Sequence, residues 1–227
     1  MQELNKPTWA DFIRSVTNCS TCKNYPKTKM GSKPWNGADL KEPQRSRNGL
    51  LFISEAPPGG DSGSYFLNSI KNDGLRARLF HALSLANNAP KFQSINEFLG
   101  EGCYLLPSFS YPCSKETGGN TNPTLGMAIH SAETHLTIAI GCLKPKIVVL
   151  LGSRALAAGI AMNLVERRGT PYSVRRYRHL TPYSSQNAEY GKISTFVTYW
   201  PIERIGKDEY DNWLVPTLDA AFSKFKT

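Results

Sequence analysis

The sequence predicts an α/β fold, a parallel sheet covered by helices on both faces, and three observations predict it. Four short runs of apolar, β-branched and aromatic residues occur at 50–53, 103–106, 147–151 and 195–199, and the third is the clearest pattern of a strand buried on both sides. Stretches with helical spacing separate them, so each strand is joined to the next by a crossover. The 227 residues and 40% apolar fraction suit one domain, 1–227, because neither a repeat nor a linker divides the chain.

Thr8-Trp9-Ala10-Asp11 has capping-box spacing with Asp in the acidic place, and Trp9, Phe12, Ile13 and Val16 follow at i, i+3, i+4 and i+7. This is a first amphipathic helix. It runs into Cys19-Ser20-Thr21-Cys22, and a C-x-x-C just after a helix brings two thiolates to one point, as zinc or an iron-sulfur cluster needs. A redox dithiol competes, but the thioredoxin kind follows a strand. Residues 23–48, broken by Pro26, Pro34 and Pro43, form a basic surface loop.

The first strand ends in Ser54-Glu55-Ala56-Pro57-Pro58-Gly59-Gly60-Asp61, a strand-to-helix loop, and helical spacing follows over 69–86 with Leu75, Leu79, Leu83 and Leu85 as core candidates. The second strand ends in Pro107-Ser108-Phe109-Ser110-Tyr111-Pro112-Cys113. A polar loop then leads to Pro123-Thr124 and a helix through Cys142. Lys144-Pro145-Lys146 introduces the third strand, and Gly152-Ser153 caps a helix to about residue 165. A basic insertion at about 166–191 precedes the fourth strand, and a last helix spans 208–225 with Pro216 as a kink point.

Twenty-seven Lys and Arg against eighteen Asp and Glu leave a formal charge of +9, for which a polyanion is the natural partner, nucleic acid before a membrane surface. In the basic insertion Arg167, Arg168, Arg175, Arg176 and Arg178 are interleaved with Tyr172, Tyr177 and Tyr183. Guanidinium groups beside rings that can stack on bases are what a nucleic-acid groove requires; a solvated hairpin whose tyrosines pack on the domain is the alternative. No apolar run approaches the roughly 20 residues of a membrane span, and the N-terminus lacks a signal-peptide apolar region, so a cytoplasmic protein without membrane contact is expected. The five cysteines, at 19, 22, 103, 113 and 142, are then a metal site or simply buried rather than disulfides.

Loops at the carboxyl ends of parallel strands line the crevice where ligands bind, so Glu55 stands at such a mouth as a catalytic group or a solvated loop charge. Ser54-Glu55-Ala56-Pro57 followed by Gly63-Ser64-Tyr65-Phe66 resembles the first motif of the uracil-DNA glycosylase superfamily, most nearly that of its iron-sulfur family 4, with Ser54 and Pro58 replacing flanking glycines. The resemblance implies a three-layer fold around a four-stranded parallel sheet of order 2-1-3-4. It also implies Glu55 handling the hydrolytic water, Phe66 stacking on an extruded base, and Ala56, Pro57, Ser108, Phe109, Ser110 and Trp200 around that base.

Cys19, Cys22 and Cys113 resemble three of that family's four cluster ligands, while the fourth cysteine, expected near Ser131 or Ala132, is absent. Cys142 lies ten residues beyond Ala132, about 15 Å along a helix. His130 is the candidate replacement, giving a set for zinc or a [4Fe–4S] cluster; otherwise the cluster is lost and no cofactor is implied. His130 and His135, five apart, do not share an α-helical face. Pro123-Thr124 and the segment 144–155 also resemble the family. Its second catalytic motif, Tyr-His-Pro before a Leu-Leu-Arg loop, is matched by Tyr199-Trp200-Pro201-Ile202-Glu203-Arg204, so an indole with one donor and no titratable proton stands in the histidine's place. The asparagine that reads uracil, expected at 108–110, is missing.

Either catalysis has decayed or the base has changed while Glu55 and Phe66 remain. The second gives a monofunctional DNA glycosylase that flips a modified pyrimidine and leaves an abasic site. Some diverged members of this superfamily are similar to antiviral defence enzymes acting on hypermodified cytosine, such as glucosylated hydroxymethylcytosine, in phage DNA. Arg168, Arg175, Arg176, Arg178 and Arg204 would then meet DNA, with Ile202 in the wedging loop. Base excision of uracil, or a monomer that binds DNA without cutting, are the alternatives. Gly60-Asp61-Ser62-Gly63 resembles a protease signature only faintly, and no phosphate-loop motif occurs.

Overall fold

A computed structural model describes residues 7–26, 28, 49–57, 74–114, 122–169, 172–187, 191–201 and 206–227. Helix α1 (Trp9–Thr17) starts with the expected reciprocal cap: Asp11 N–H donates to Thr8 Oγ1 at 3.2 Å and Thr8 N–H to Asp11 Oδ2 at 2.9 Å. Such a cap stabilises a helix by about 1 kcal/mol. Trp9, Phe12 and Val16 are its buried face, and α2 (Ser20–Asn24) follows directly.

Strands β1 (Leu50–Ser54), β2 (Cys103–Pro107), β3 (Ile147–Leu151) and β5 (Gly191–Thr198) lie parallel, and β4 (Tyr183–Asn187) pairs antiparallel with β5. The order is β2-β1-β3-β5-β4. The expected four-stranded parallel sheet is therefore corrected to a mixed sheet of five, in which the four parallel strands keep the implied order. The added strand lies in the basic insertion. Its sequence, Tyr-Ser-Ser-Gln-Asn, has no apolar alternation, and its ladder with β5 is what holds it extended.

Side chains alternate between two cores. Leu51, Ile53, Leu106, Val148 and Leu150 face one, with α1, α5 (Leu125–Ser131), α6 (Thr137–Leu143) and α7 (Ser153–Ala161). Leu50, Phe52, Leu105, Val149 and Leu151 face the other, with α3 (Gly74–Leu85), α4 (Ile95–Gly100) and α10 (Val215–Phe225). This is the expected three-layer α/β/α arrangement, and each fully buried Leu, Ile or Phe contributes roughly 1.5–3 kcal/mol.

Several helices differ from expectation. Leu85, expected in the core, is 51% exposed at the end of α3. Helix α7 stops at Ala161 because Asn163 takes φ 56°, so Leu164 and Val165 are buried outside a helix. Pro216 is the second residue of α10, directly after the π-helical segment Tyr210–Leu214. Two π-helical segments, Ala132–Leu136 between α5 and α6 and Tyr210–Leu214 before α10, have no signature in the sequence. Helices α8 (Val174–Tyr177) and α9 (Lys207–Glu209) are single turns. Among the described residues no helix is long and apolar enough to cross a membrane.

Candidate functional site

Glu55 follows β1 at the carboxyl edge of the sheet, and its main chain is pinned to the loop after β2. Ser108 N–H donates to Ser54 O at 2.7 Å, Phe109 N–H to Glu55 O at 3.1 Å, and Ser108 Oγ to Glu55 O at 2.7 Å. The Glu55 side chain meets the start of α7. Gly152, the N-cap of that helix, has φ 91° and no side chain to offer its orphan N–H groups. The Glu55 carboxylate accepts from the Arg154 N–H instead, a cap supplied from a neighbouring strand.

Burial raises the Glu55 pKa, while the Arg154 guanidinium and main-chain N–H pull it down; the net result lies above the ordinary carboxylate range. At 8% exposure the carboxylate is enclosed. A Cβ added at Gly152 would lie 3.1 Å from Glu55 Oε1 and 3.5 Å from the Trp200 Cβ, so the tryptophan in the second motif and the glutamate of the first flank the same glycine. Arg154 is a site residue that sequence reasoning missed. Its guanidinium is fixed by Nε donating to Pro123 O at 3.0 Å and Nη1 to Ser153 Oγ at 2.8 Å. Its one signal was its place in the first turn of a helix after a buried strand. Chemically, an enclosed carboxylate of raised pKa is a better proton acceptor than an ordinary glutamate and can stand beside a developing positive charge.

The remaining base-pocket candidates are unevenly placed. Ala56 is half-buried, and Pro57 and Ser108 are buried beside the pinned loop. Phe109 is a correction: it is fully buried between Tyr25 and Tyr111, with ring centroids 6.0 and 5.9 Å away, and so belongs to the core. Ser110 is buried with its hydroxyl lacking a hydrogen-bond partner among the described residues. Trp200 is half-buried against the second core. Phe66, Ile202 and Arg204 lie outside the described residues.

In the basic insertion the tyrosines mostly pack. Tyr177 is fully buried, Tyr172 and Tyr183 pack on the first core, and Tyr183 OH donates to Tyr177 O at 2.9 Å. Arg178 is half-buried: it donates to Tyr199 OH and its guanidinium lies 4.2 Å from the Trp213 ring centroid, a cation–π contact that ties the insertion to the second π segment. Arg168 is exposed, 5.1 Å over the Tyr183 ring, and Arg175 and Arg176 are exposed. A cavity of about 690 Å³ lies here, lined among others by Ile129, Glu133, Ile160, Arg167, Tyr172 and Tyr183. It opens by the end of α7 opposite Glu55, roughly 12 Å along the helix axis.

The second constellation is built from α1, α2 and the helix α5–π–α6. Cys19 is the N-cap of α2, its Sγ accepting from Cys22 N–H at 3.2 Å, which folds the C-x-x-C pair inward. His130 ends α5. The π segment beyond it adds a residue to the turn, and the i, i+5 pair His130 and His135 comes onto one face with ring centroids 6.0 Å apart. The expectation that the two would not share a face is thus overturned. Cys19 Sγ lies 3.4 Å from His130 Nε2 and Cys22 Sγ 3.3 Å from His135 Nε2. One ligand atom from each of the four lies within 4.8 Å of every other, close enough to bind a metal ion.

Cys113 is corrected out of the ligand set, and His135 takes the place expected for it. The Cys113 thiol is buried, donating to Tyr111 O at 3.7 Å, and its main chain bridges Thr28. Cys142 donates to Pro7 O at 3.2 Å, away from the set, and burial with the nearby Glu101 pushes the Cys103 thiol up. Burial and the neighbouring His130 lower His135 to about 4, so its imidazole is neutral at physiological pH. Burial and Cys19 raise the Cys22 thiol. Two thiols and two imidazoles do not fit the four-thiolate cubane that the family resemblance implies, whose ligands sit on four separate irons.

No protein-family model matches the chain, and no curated protein matches it either.

Proposed function

We propose that the protein is a monofunctional DNA glycosylase acting on a modified pyrimidine, with hypermodified cytosine of phage DNA as the favoured substrate, and that it works as a cytoplasmic monomer. The observation that carries this is Glu55: an enclosed carboxylate of raised pKa, at the carboxyl edge of the parallel strands, held beside a helix N-terminus and next to Trp200. Breaking an N-glycosidic bond passes through an oxocarbenium-like sugar. A carboxylate at that carbon orients the attacking water, accepts its proton and offsets the positive charge, whichever base departs. Trp200 supplies an apolar wall where a uracil-specific enzyme would place a titratable group, which favours a different base. The formal charge of +9 supplies affinity for the DNA backbone.

A second reading follows from the Arg154 N–H bond: Glu55 serves only to cap α7, and the chain binds DNA without cutting it. Wild type and Glu55→Gln incubated with duplexes carrying uracil, hydroxymethylcytosine or glucosylated hydroxymethylcytosine separate the two. Released bases are identified by mass spectrometry, and abasic sites by alkaline cleavage. The glycosylase requires release that depends on Glu55 and is poorest with uracil. DNA binding by both proteins with release by neither establishes the binding-only descendant, and uracil as best substrate overturns the base assignment.

A further inference from the structure

We infer that Cys19, Cys22, His130 and His135 hold a single zinc ion in a closed tetrahedral site, standing where the family resemblance places an iron-sulfur cluster. A tetrahedral ion with zinc–sulfur bonds of about 2.3 Å and zinc–nitrogen bonds of about 2.0–2.1 Å separates neighbouring S and N ligands by about 3.6 Å. The two Cys–His pairs stand at 3.4 and 3.3 Å, and all four ligand atoms lie within 4.8 Å of one another. Two edges of a coordination tetrahedron are thus close to that length, and the other four are no longer than 4.8 Å.

Iron-sulfur alternatives fail on the same distances. Ligands to a cubane hang from different irons and stand about 6 Å apart. A two-iron centre with two cysteines and two histidines puts both thiolates on one iron and both imidazoles on the other, which makes the Cys–His separations long. Here the short pairs are the mixed ones. A borderline-soft ion accepting both thiolate and imidazole from four protein ligands is zinc, and with no position open to water the site is structural.

The surroundings are those of a metal site. Ser15 Oγ, which donates to Phe12 O at 2.8 Å, lies 3.0 Å from His135 Nδ1 and in that arrangement accepts the ring proton there, the tautomer that turns the Nε2 lone pair to Cys22. The Cys22 N–H gives Cys19 Sγ an amide partner, suited to a thiolate. Cys22 and His135 are 1% and 3% exposed. The π segment has a reason here too, since without the extra residue in its turn His135 would leave the face that carries His130.

The test is elemental analysis of the full chain produced with both iron and zinc supplied, followed by replacement of the bound metal with cobalt. One zinc per chain is expected, with no acid-labile sulfide, no iron charge-transfer absorption, and a cobalt spectrum of a tetrahedral site with two thiolates. His135→Ala and Cys22→Ser lose the metal, whereas Cys113→Ser retains one equivalent. Ser15→Ala, which leaves all four ligands in place, weakens zinc about 10–100-fold in a chelator competition. Should the ligand variants not fold, the wild-type cobalt spectrum and Cys113→Ser still decide. Stoichiometric iron and sulfide, a three-thiolate cobalt spectrum, loss of metal in Cys113→Ser, or no bound metal would overturn the inference. None of these outcomes depends on glycosylase activity.

Discussion

Gly152→Ala probes the contact on which the catalytic proposal turns. Gly152 has φ 91° and ψ 178°, a region nearly closed to residues with a Cβ, and occupying it costs about 1–3 kcal/mol. The new methyl would also sit 3.1 Å from Glu55 Oε1. The carboxylate can retreat only by giving up the Arg154 N–H, a charge-assisted bond of about 1.5–3 kcal/mol. Together these place the loss at roughly 2.5–6 kcal/mol, which in a chain of this length lowers Tm on the order of 10 °C. Urea unfolding of wild type, Gly152→Ala, Glu55→Ala and the double variant separates the parts. Removing the carboxylate should relieve at least about 1 kcal/mol of the Gly152→Ala cost, and the backbone strain should persist. A Gly152→Ala protein within about 0.5 kcal/mol of wild type, or one equally destabilised with and without Glu55, would refute the placement of the carboxylate against α7.

In the proposed role of base Glu55 acts only when ionised, and burial raises its pKa, so the acid limb of kcat/KM is expected at a pH above that of an ordinary glutamate. Arg154→Ala removes an opposing charge and shifts that limb to still higher pH; a shift downward would contradict the assignment. The raised pKa also means that the protonated fold is favoured. Stability linked to Glu55 is fully present below the unfolded-state pKa and lost as pH rises through the folded one, so Glu55→Gln unfolds at denaturant concentrations no lower than wild type at neutral pH. Arg178→Ala, losing its stack on Trp213 and its bond to Tyr199, costs about 1–2 kcal/mol in chemical denaturation. Arg175→Ala leaves stability within about 0.5 kcal/mol, weakens binding to all DNA sequences alike and lowers the salt slope by about one.

How far the fold could be read in the sequence depended on where each element gets its stability. The parallel strands were legible because Leu50–Ser54 and Ile147–Leu151 carry their burial in their own composition. Helix α1 was legible for a similar reason, its cap and apolar stripe being local. Strand β4 was not, since five polar or tyrosine residues become a strand only through pairing with β5. The contact of Arg178 with Trp213, thirty-five residues onward in the chain, exists only once the chain is folded. The metal set was half legible. C-x-x-C and His130 stood out, but a period of 3.6 places residues five apart on different faces, and nothing in the sequence announces the π turn that makes His135 a ligand. Cys113 failed for the opposite reason: its position along the chain suited the set, but its thiol is spent on Tyr111 O.

The three bonds from Ser108 and Phe109 hold Glu55 by its peptide groups, leaving the side chain outside that clasp. A different acid, an amide or an imidazole could therefore stand at residue 55 on an unmoved backbone. If residue 55 carries the proposed chemistry, that chemistry can be exchanged by single codon changes without first rebuilding the platform beneath it, and a glycosylase whose target bases are themselves repeatedly altered would profit from such a replaceable tip.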